Sequence, residues 1–233
     1  MIISYKKKFI FVHIYKTAGT SIFSIFSRYA KFSILVSEVW PTRFFVKLIN
    51  IIFSLENYGN SWINGVQKHA SCIEINKYVG QKFFTKFYKF SFVRNPYDLQ
   101  YSLWCYEKKS RSHRNHKEAK NTSFDEFIYN QINRGAPCQV HFLKIDGKIA
   151  VDYIGYFEHL NNSIKTICDR LDIPLVTIPK FNSSNRKHKS LDNIYTSELA
   201  DIVYEYFKED FDVLGYSKDF KNLNPINVNN IQI

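Results

Sequence analysis

The sequence lacks the cysteine patterns that mark metal-binding and disulfide-stapled proteins. Only four of its 233 residues are cysteine, and no two of them form a Cys-x-x-Cys pair. Neither a zinc site nor a disulfide framework is therefore indicated, and a reducing compartment is expected. The four residues are Cys72, Cys105, Cys138 and Cys168.

Long apolar runs are also missing. The most apolar stretch, residues 44–55, contains Lys47 and Asn50 and is far shorter than the ~20 residues of a membrane-spanning helix. The apolar run after Lys8 is too short for a signal peptide. We therefore expect no membrane span, no leader and a cytoplasmic location.

The composition indicates a packed, basic globular protein. Hydrophobic residues make up 45% of the chain and aromatic residues 17%, which argues against disorder. With no repeat and no linker, we expect residues 1–233 to form one domain. A formal net charge of +11 indicates an anionic partner, which charge alone leaves open among nucleotide, acidic glycan, nucleic acid and anionic lipid.

The most informative segment is the run from Phe9 to Phe23. Residues 9–14 are apolar and β-branched or aromatic, residues 17–21 are small and mostly hydroxyl-bearing, and apolar residues then recur at helical spacing. A strand that feeds a tight loop at a helix N-terminus offers backbone N–H groups and the helix dipole to an anion. We predict a phosphate-binding loop, with Lys16 as its mobile positive charge.

The simpler interpretation of this segment is a turn in which Thr or Ser merely caps the helix. The density of the Lys-Thr-x-Gly-Thr-Ser run favours the phosphate loop over that alternative. The order of residues differs from the Walker pattern, because Lys16 precedes the loop's glycine, Gly19, instead of following a second one.

A second motif follows a strand predicted over residues 88–93. The strand ends in Arg94, after which Asn95-Pro96 breaks it and opens a helix over 97–109. Arginine suits a phosphate because its planar fork donates two parallel hydrogen bonds, and Ser102 lies one helical turn further on. The alternative is that Arg94 is a surface ion-pair residue and Ser102 an ordinary helix serine.

The helix of the second motif has an apolar face of its own, and strands and helices alternate along the rest of the chain. Leu99, Leu103 and Tyr106 fall at i, i+4 and i+7, so we expect all three to face the core. The alternation predicts an α/β fold in which a central, mostly parallel sheet is flanked by helices, with ligands at the carboxyl ends of the strands. Further helices are predicted at 20–31, 42–55, 71–80, 123–133, 160–171 and 196–209, and further strands at 33–36 and 149–153. A capping box of Ser123 and Glu126 opens the helix at 123–133, and Asp146-Gly147 predicts a turn.

Together the two motifs resemble those of sulfotransferases that use 3′-phosphoadenosine-5′-phosphosulfate (PAPS). The closest likeness is to the carbohydrate branch, whose loop commonly reads His-Ile-Pro-Lys-Thr-Ala-Gly-Thr-Ser and whose arginine and serine, eight residues apart, hold the 3′-phosphate. A Gly-Tyr-Phe-Glu stretch at 155–158 also fits. The resemblance implies a P-loop-like three-layer fold, transfer of a sulfuryl group to a carbohydrate hydroxyl with PAP as product, and no metal.

The resemblance also implies residue roles. Lys16 would stabilise the leaving phosphate, Thr17, Ala18, Gly19, Thr20 and Ser21 would cradle the 5′-phosphate, and Arg94 and Ser102 would hold the 3′-phosphate. His69 matches the relatives' catalytic base by context, the alternatives being a helix cap or a surface position. The Arg-Lys-His-Lys run resembles a basic stretch that closes over the nucleotide, and Arg186 or Lys187 would contact the 3′-phosphate.

Two positions depart from the family pattern. Tyr15 stands where relatives usually have proline, and Leu99 where many carry a second arginine. Animal relatives typically carry a Golgi anchor, whereas this sequence resembles a soluble bacterial type. The basic segment 107–120 would suit an acidic glycan as acceptor, although an exposed loop or frayed helix end explains it equally well.

Two other functions remain as alternatives. One is a nucleotide kinase with an atypical phosphate loop, against which the order of lysine and glycine counts. The other is a non-catalytic, basic nucleic-acid-binding module, which the net charge allows. No finger, RNP-like or helix-turn-helix signature supports that module, so we expect no nucleic acid as partner.

Overall fold

The computed structural model describes residues 1–29, 68–175 and 191–226. Within these ranges the main sheet has four strands in the order β1-β2-β3-β6, and a separate two-stranded hairpin is formed by β4 and β5. The strands are β1 (Ile2–Ser4), β2 (Phe9–Val12), β3 (Tyr88–Val93), β4 (Lys144–Ile145), β5 (Lys148–Ile149) and β6 (Tyr153–Tyr156).

The main sheet is mostly parallel, as the sequence predicts. β2, β3 and β6 run parallel, with Val12 paired to Ser91 and Val93 paired to Tyr156. The edge strand β1 is antiparallel to β2 and was not predicted, because three residues are too few to show a period. The chain segments after β2 and β3 therefore emerge side by side at the carboxyl edge.

The side chains of β2 alternate between two cores, which places helices on both faces of the sheet. Phe9 and Phe11 pack with residues of the helices Gly19–Phe26 and Leu160–Leu171, whereas Ile10 and Val12 join a larger cluster on the other face. All four β2 residues are fully buried. A strand buried on both faces needs apolar residues at every position, and this confirms the predicted three-layer α/β arrangement.

Two of the described helices begin with capping boxes, in which a serine side chain accepts a hydrogen bond from the N3 backbone N–H and the N3 glutamate accepts one from the serine backbone N–H. One box was predicted, that of Ser123 and Glu126, and the other joins Ser71 to Glu74. The helices are α1 (Gly19–Phe26), α2 (Cys72–Val79), α3 (Gln81–Lys86), α4 (Pro96–Lys109), α5 (His116–Asn121), α6 (Phe124–Asn133), α7 (Gln139–Leu143), α8 (Leu160–Leu171), α9 (Ser197–Tyr206) and α10 (Lys208–Leu214), with 3₁₀ turns at Ser27–Tyr29 and Phe157–His159.

The region after α7 differs from the predicted continuous strand at 149–153. The turn predicted at Asp146-Gly147 is present, with φ of 49° and 75°, and it closes the β4–β5 hairpin. The chain then passes Asp152, whose carboxylate accepts from the backbone N–H of Lys89 over 2.6 Å and lies 2.7 Å from its Nζ. This anchor separates β5 from β6 and sets where β6 begins.

Two helical predictions also change in detail. The segment predicted as one helix over 196–209 forms α9 and α10, because Phe207 leaves helical geometry with φ of −99° and ψ of 22°. The basic segment 107–120, predicted as an exposed loop or frayed helix end, contains the end of α4, a turn region at 110–115 and most of α5. The strand predicted at 33–36 and the helix at 42–55 lie outside the described residues. Across the described ranges, none of the helices has the length and apolar character needed to cross a bilayer.

Candidate active site

The loop after β2 turns sharply before α1 begins at Gly19. Lys16 and Ala18 both adopt left-handed backbone conformations, with φ of 63° and 64°. The Thr17 hydroxyl donates to the Ile14 carbonyl over 2.8 Å inside the loop. Thr17 is fully buried and closes the turn with its hydroxyl, so this hydroxyl is not offered to a ligand.

The N-terminus of α1 has no side-chain cap. The N-cap is Ala18, which makes no side-chain cap hydrogen bond, whereas α2 and α6 begin with serine caps. The alternative in which Thr or Ser merely caps this helix is therefore wrong. The first N–H groups of a helix lack intrahelical partners, so Gly19 and Thr20 present backbone donors at the positive end of the helix dipole.

Arg94 joins this loop to the second motif. Its Nη1 donates to the backbone carbonyl of Lys16 over 2.9 Å and to Oγ of Ser102 over 3.0 Å. Since β2 and β3 are neighbours in the sheet, the residues that follow them meet at its carboxyl edge. The structure thus brings Lys16, Arg94 and Ser102 to one place.

The guanidinium of Arg94 is buried, with only 3% of the residue exposed. Its Nε and Nη2 lie 2.7 and 2.6 Å from Oδ2 of Asp98, and the Phe157 ring centroid lies 3.9 Å from Cζ. The alternative prediction, that Arg94 is a surface ion-pair residue, is wrong because the Arg94–Asp98 pair is buried. Sequence reasoning missed Asp98 and Phe157, although the i, i+4 spacing of Arg94 and Asp98 was a usable signal.

The Lys16 ammonium lies over an aromatic ring of α4. Its Nζ is 4.2 Å from the centroid of Tyr106, a favourable cation–π contact. Burial, followed by the positive charge of Arg94, lowers the pKa of Lys16 to about 8. Tyr106 is 45% exposed, so its predicted core position is wrong: it shares a helix face with Asp98 and Ser102, at successive steps of four residues.

His69 lies beside the loop with a defined proton arrangement. Its Nδ1 is 2.9 Å from the carbonyl oxygen of His13, and because a carbonyl can only accept, Nδ1 carries the proton and Nε2 keeps its lone pair. Burial lowers the pKa of His69 to about 4. The helix-cap alternative is wrong, because Ser71 caps α2.

Two aromatic neighbours hold His69 against the loop. The ring of His13, itself buried and stacked on Phe11, lies 4.5 Å from that of His69 between centroids. The ring of Tyr15 meets His69 edge-on at 6.1 Å and meets Phe142 in the same way. Tyr15, in the position of the relatives' proline, thus packs beside the histidine.

Glu158 supports the turn that follows Arg94. Its carboxylate accepts from the Asn95 N–H over 2.8 Å and from the Tyr216 hydroxyl over 3.0 Å. Burial raises the pKa of Glu158 to about 7. Asn95 in turn caps α4, accepting from the Tyr97 N–H over 3.0 Å. These contacts join segments far apart in the chain, and the sequence signalled only the Gly-Tyr-Phe-Glu stretch.

The basic segment 107–120 exposes most of its positive charges, whereas one of its two acids is buried and the other is paired with an arginine. Glu107 is 3% exposed and accepts from Asn115 Nδ2 over 3.2 Å, and Glu118 is held by Arg134 and Asn130. Lys108 lies over Trp104, with 4.2 Å to the ring centroid. The exposed cations are Lys109, Arg111, Arg114, Lys117 and Lys120.

The remaining predicted positions are placed as follows. Leu99 is 2% exposed, so the position where many relatives carry arginine faces the core here. Arg186 and Lys187 lie outside the described residues. Within residues 1–29, 68–175 and 191–226, no group of three or more His, Cys, Asp or Glu side chains is placed to hold a metal ion.

Comparison with known proteins agrees with this geometry. The model of the sulfotransferase family matches residues 1–217. No curated protein and no solved structure matches the chain. The family match covers nearly the whole sequence, including the loop after β2, the Arg94 turn and the segment that bears Glu158. The chain therefore belongs to the sulfotransferase family, whose reaction is sulfuryl transfer.

Proposed function

We propose that this protein transfers a sulfuryl group from PAPS to a hydroxyl of a carbohydrate acceptor. The observation that carries the proposal is the hydrogen bond from Arg94 to the Lys16 carbonyl, at 2.9 Å. It brings the loop after β2 together with the segment that bears Arg94 and Ser102. A nucleotide with phosphates at both its 5′ and 3′ positions would contact both.

The donor would be held by groups that offer hydrogen bonds to anions. The backbone N–H groups of Gly19 and Thr20 would bind the 5′-phosphate, and the exposed Thr20 would add a hydroxyl. Ser102 accepts one bond from Arg94 and keeps its own O–H to donate to the 3′-phosphate. The nearby carboxylate, Asp98, is already bonded to Arg94, so it presents little repulsion.

When bound, PAPS supplies a sulfuryl group carried on a phosphate leaving group. Lys16 would stabilise the negative charge that develops on that phosphate, because a positioned ammonium in a poorly hydrated site acts where charge accumulates. The pKa of about 8 leaves Lys16 largely protonated at neutral pH. To reach the leaving phosphate, the Lys16 ammonium would have to move away from the Tyr106 ring.

His69 would remove the proton of the acceptor hydroxyl. The bond from Nδ1 to the His13 carbonyl fixes the tautomer in which Nε2 is free to accept a proton. A pKa near 4 keeps the imidazole neutral at physiological pH, so the base is ready in nearly every molecule. A positioned base of this kind typically contributes ~10²–10⁴-fold.

The acceptor proposed is an acidic glycan. Lys109 lies on α4, the helix that also carries Ser102 and Tyr106, and the other exposed cations lie on the following turn and on α5, which packs against α4. An anionic polymer that crosses them would also reach the Lys16 site. Because Glu107 and Glu118 are turned inward or paired, they cancel little of that attraction at the surface.

Ligand-dependent thermal unfolding tests the proposal. Adenosine 3′,5′-bisphosphate at a hundredfold excess over its Kd stabilises a single-site protein by about 2.7 kcal/mol. We expect this stabilisation to exceed that produced by ATP-magnesium or by duplex DNA. Transfer of ³⁵S from labelled PAPS to uronic-acid polysaccharides is then measured against neutral polysaccharides. Equal stabilisation by ATP-magnesium would favour a kinase, and stabilisation by DNA alone would favour a nucleic-acid-binding module.

A further inference from the structure

Lys16 has an unusual backbone conformation for a residue with a side chain. Its φ of 63° lies in the left-handed region, which few residues other than Gly, Asn and Asp adopt. Such a conformation persists only where the surrounding structure holds it. The direction in which the Lys16 side chain leaves the loop therefore depends on the contacts made by its backbone.

One of these contacts comes from the other motif. Arg94 Nη1 donates to the Lys16 carbonyl over 2.9 Å, and on the far side Thr17 Oγ1 closes the turn to Ile14 over 2.8 Å. The peptide after Lys16 is thus held on one side by Arg94, which follows β3, and on the other by the turn that Thr17 closes. A displacement of the guanidinium would release one of these two restraints and move the lysine.

The orientation of the guanidinium is in turn fixed by Asp98. Nε and Nη2 both bond to one oxygen, Oδ2, at 2.7 and 2.6 Å. The Arg94 and Asp98 side chains are only 4% and 8% exposed, so water competes little for these bonds. Phe157 covers the flat face of the guanidinium at 3.9 Å. Because Asp98 occupies one edge of the guanidinium and Phe157 covers its face, Nη1 is directed toward the Lys16 carbonyl and Oγ of Ser102.

We propose that Asp98 is a positioning residue for the transfer reaction: by fixing the guanidinium of Arg94, it fixes the backbone from which the Lys16 ammonium is presented. The proposal rests on the proposed function for the identity of the reaction. A purely structural role, in which Asp98 only neutralises a buried arginine, makes a different prediction. It would affect stability and leave each folded molecule fully active.

The Asp98→Asn variant separates the two roles, because it keeps the shape of the side chain and removes its charge. We expect kcat per folded molecule to fall on the order of 10²-fold, the size associated with misplacement of a catalytic group by about 1 Å. Affinity for adenosine 3′,5′-bisphosphate should also fall, because Arg94 bonds Ser102, but by a smaller factor than kcat, and Asp98→Glu should recover part of kcat. A lowered Tm with unchanged kcat would overturn the proposal.

A second variant covers the case in which Asp98→Asn does not fold. Phe157→Leu removes the ring over the guanidinium and leaves both charges paired, so it should lower kcat in the same direction by a smaller factor. Unchanged kcat in Phe157→Leu would count against the proposal. Asp125→Asn, an exposed acid on α6, is the matched control and should behave as the unmodified protein.

Chemical labelling gives a readout that does not depend on PAPS. N-hydroxysuccinimidyl acetate acetylates free amines, and mass spectrometry compares Lys16 with the exposed Lys109 in the same sample. We expect Lys16 to react faster relative to Lys109 in Asp98→Asn and Phe157→Leu. An unchanged ratio in both would overturn the proposal, whereas a changed ratio in a protein that does not use PAPS would refute only the proposed function.

Discussion

Gly19 lies so close to His13 that no side chain fits between them. A Cβ placed on Gly19 would lie 1.7 Å from Nε2 of His13 and 2.4 Å from its Cε1. His13 cannot easily retreat, because it is 4% exposed and stacks on Phe11. The glycine of the loop is therefore required by a neighbouring histidine, and not by a left-handed backbone.

The Gly19→Ala variant should consequently disturb both the loop and the histidine pair. We expect a loss of about 1–3 kcal/mol in the free energy of unfolding, as for other overpacked sites, together with weaker binding of adenosine 3′,5′-bisphosphate. Urea unfolding and calorimetry measure these two quantities. The double variant Gly19→Ala/His13→Ala should recover part of the binding, since it relieves the clash; full binding by Gly19→Ala alone would contradict the explanation.

The pH dependence of sulfuryl transfer should reflect the shifted pKa values of His69 and Lys16. His69 must be unprotonated to act as a base, so activity should fall only as the pH drops toward about 4. Lys16 must be protonated, so activity should fall as the pH rises through about 8. A bell-shaped kcat/KM profile with these limbs is the expected result.

His69→Ala supplies the control for this assignment. The variant should lose ~10²–10⁴-fold in kcat and keep nearly the full affinity for adenosine 3′,5′-bisphosphate, since His69 is not assigned a contact with the nucleotide. Loss of both properties together, or of neither, would remove His69 from the role of base.

Reversal of charge on the basic face should affect the acceptor and not the donor. For Lys109→Glu combined with Lys117→Glu, we expect the KM for an acidic glycan to rise by up to roughly tenfold at low salt and its salt dependence to flatten. The KM for PAPS should stay the same. Lys82→Glu on α3, at the opposite end of β3, is the matched control, and equal effects of the two changes would argue against a specific acceptor face.

Stability should depend on pH through Glu158. Burial raises its pKa from 4.5 to about 7, so between these values the folded protein binds more protons than the unfolded chain does. The free energy of unfolding therefore falls as the pH rises through this window. Relative to Glu158→Gln, which cannot titrate, the unmodified protein should gain up to about 3 kcal/mol on acidification. Parallel pH curves for the two proteins would contradict this.

Local features were predictable where one short segment contained its own signals. The strand at 88–93 was predicted to the residue, because an apolar run meets Asn95-Pro96, and α8 was predicted at its observed bounds from the apolar period. The capping box of α6 was likewise complete within four residues. The three-layer sheet followed from the alternation of such elements.

The contacts that build the site were not predictable in the same way. Asp98, Phe157 and Glu158 act on Arg94 or its turn, and two of these contacts join segments about 60 residues apart, beyond any periodic pattern. The face of Tyr106 was predicted wrongly because helical spacing does not distinguish a ring that packs on the core from one that packs on Lys16. The roles of the site residues remain predictions.

The neighbouring strands β2 and β3 fix the distance between the loop after β2 and Arg94. The loop and Arg94 follow two strands that are bonded directly, with Val12 opposite Ser91, and adjacent strands lie ~4.8 Å apart. Because these strands are hydrogen-bonded to each other, the fold would set the interval between the proposed 5′- and 3′-phosphate contacts. Under the proposed function, nucleotides whose phosphates are spaced differently would be excluded by length alone, before any chemistry begins.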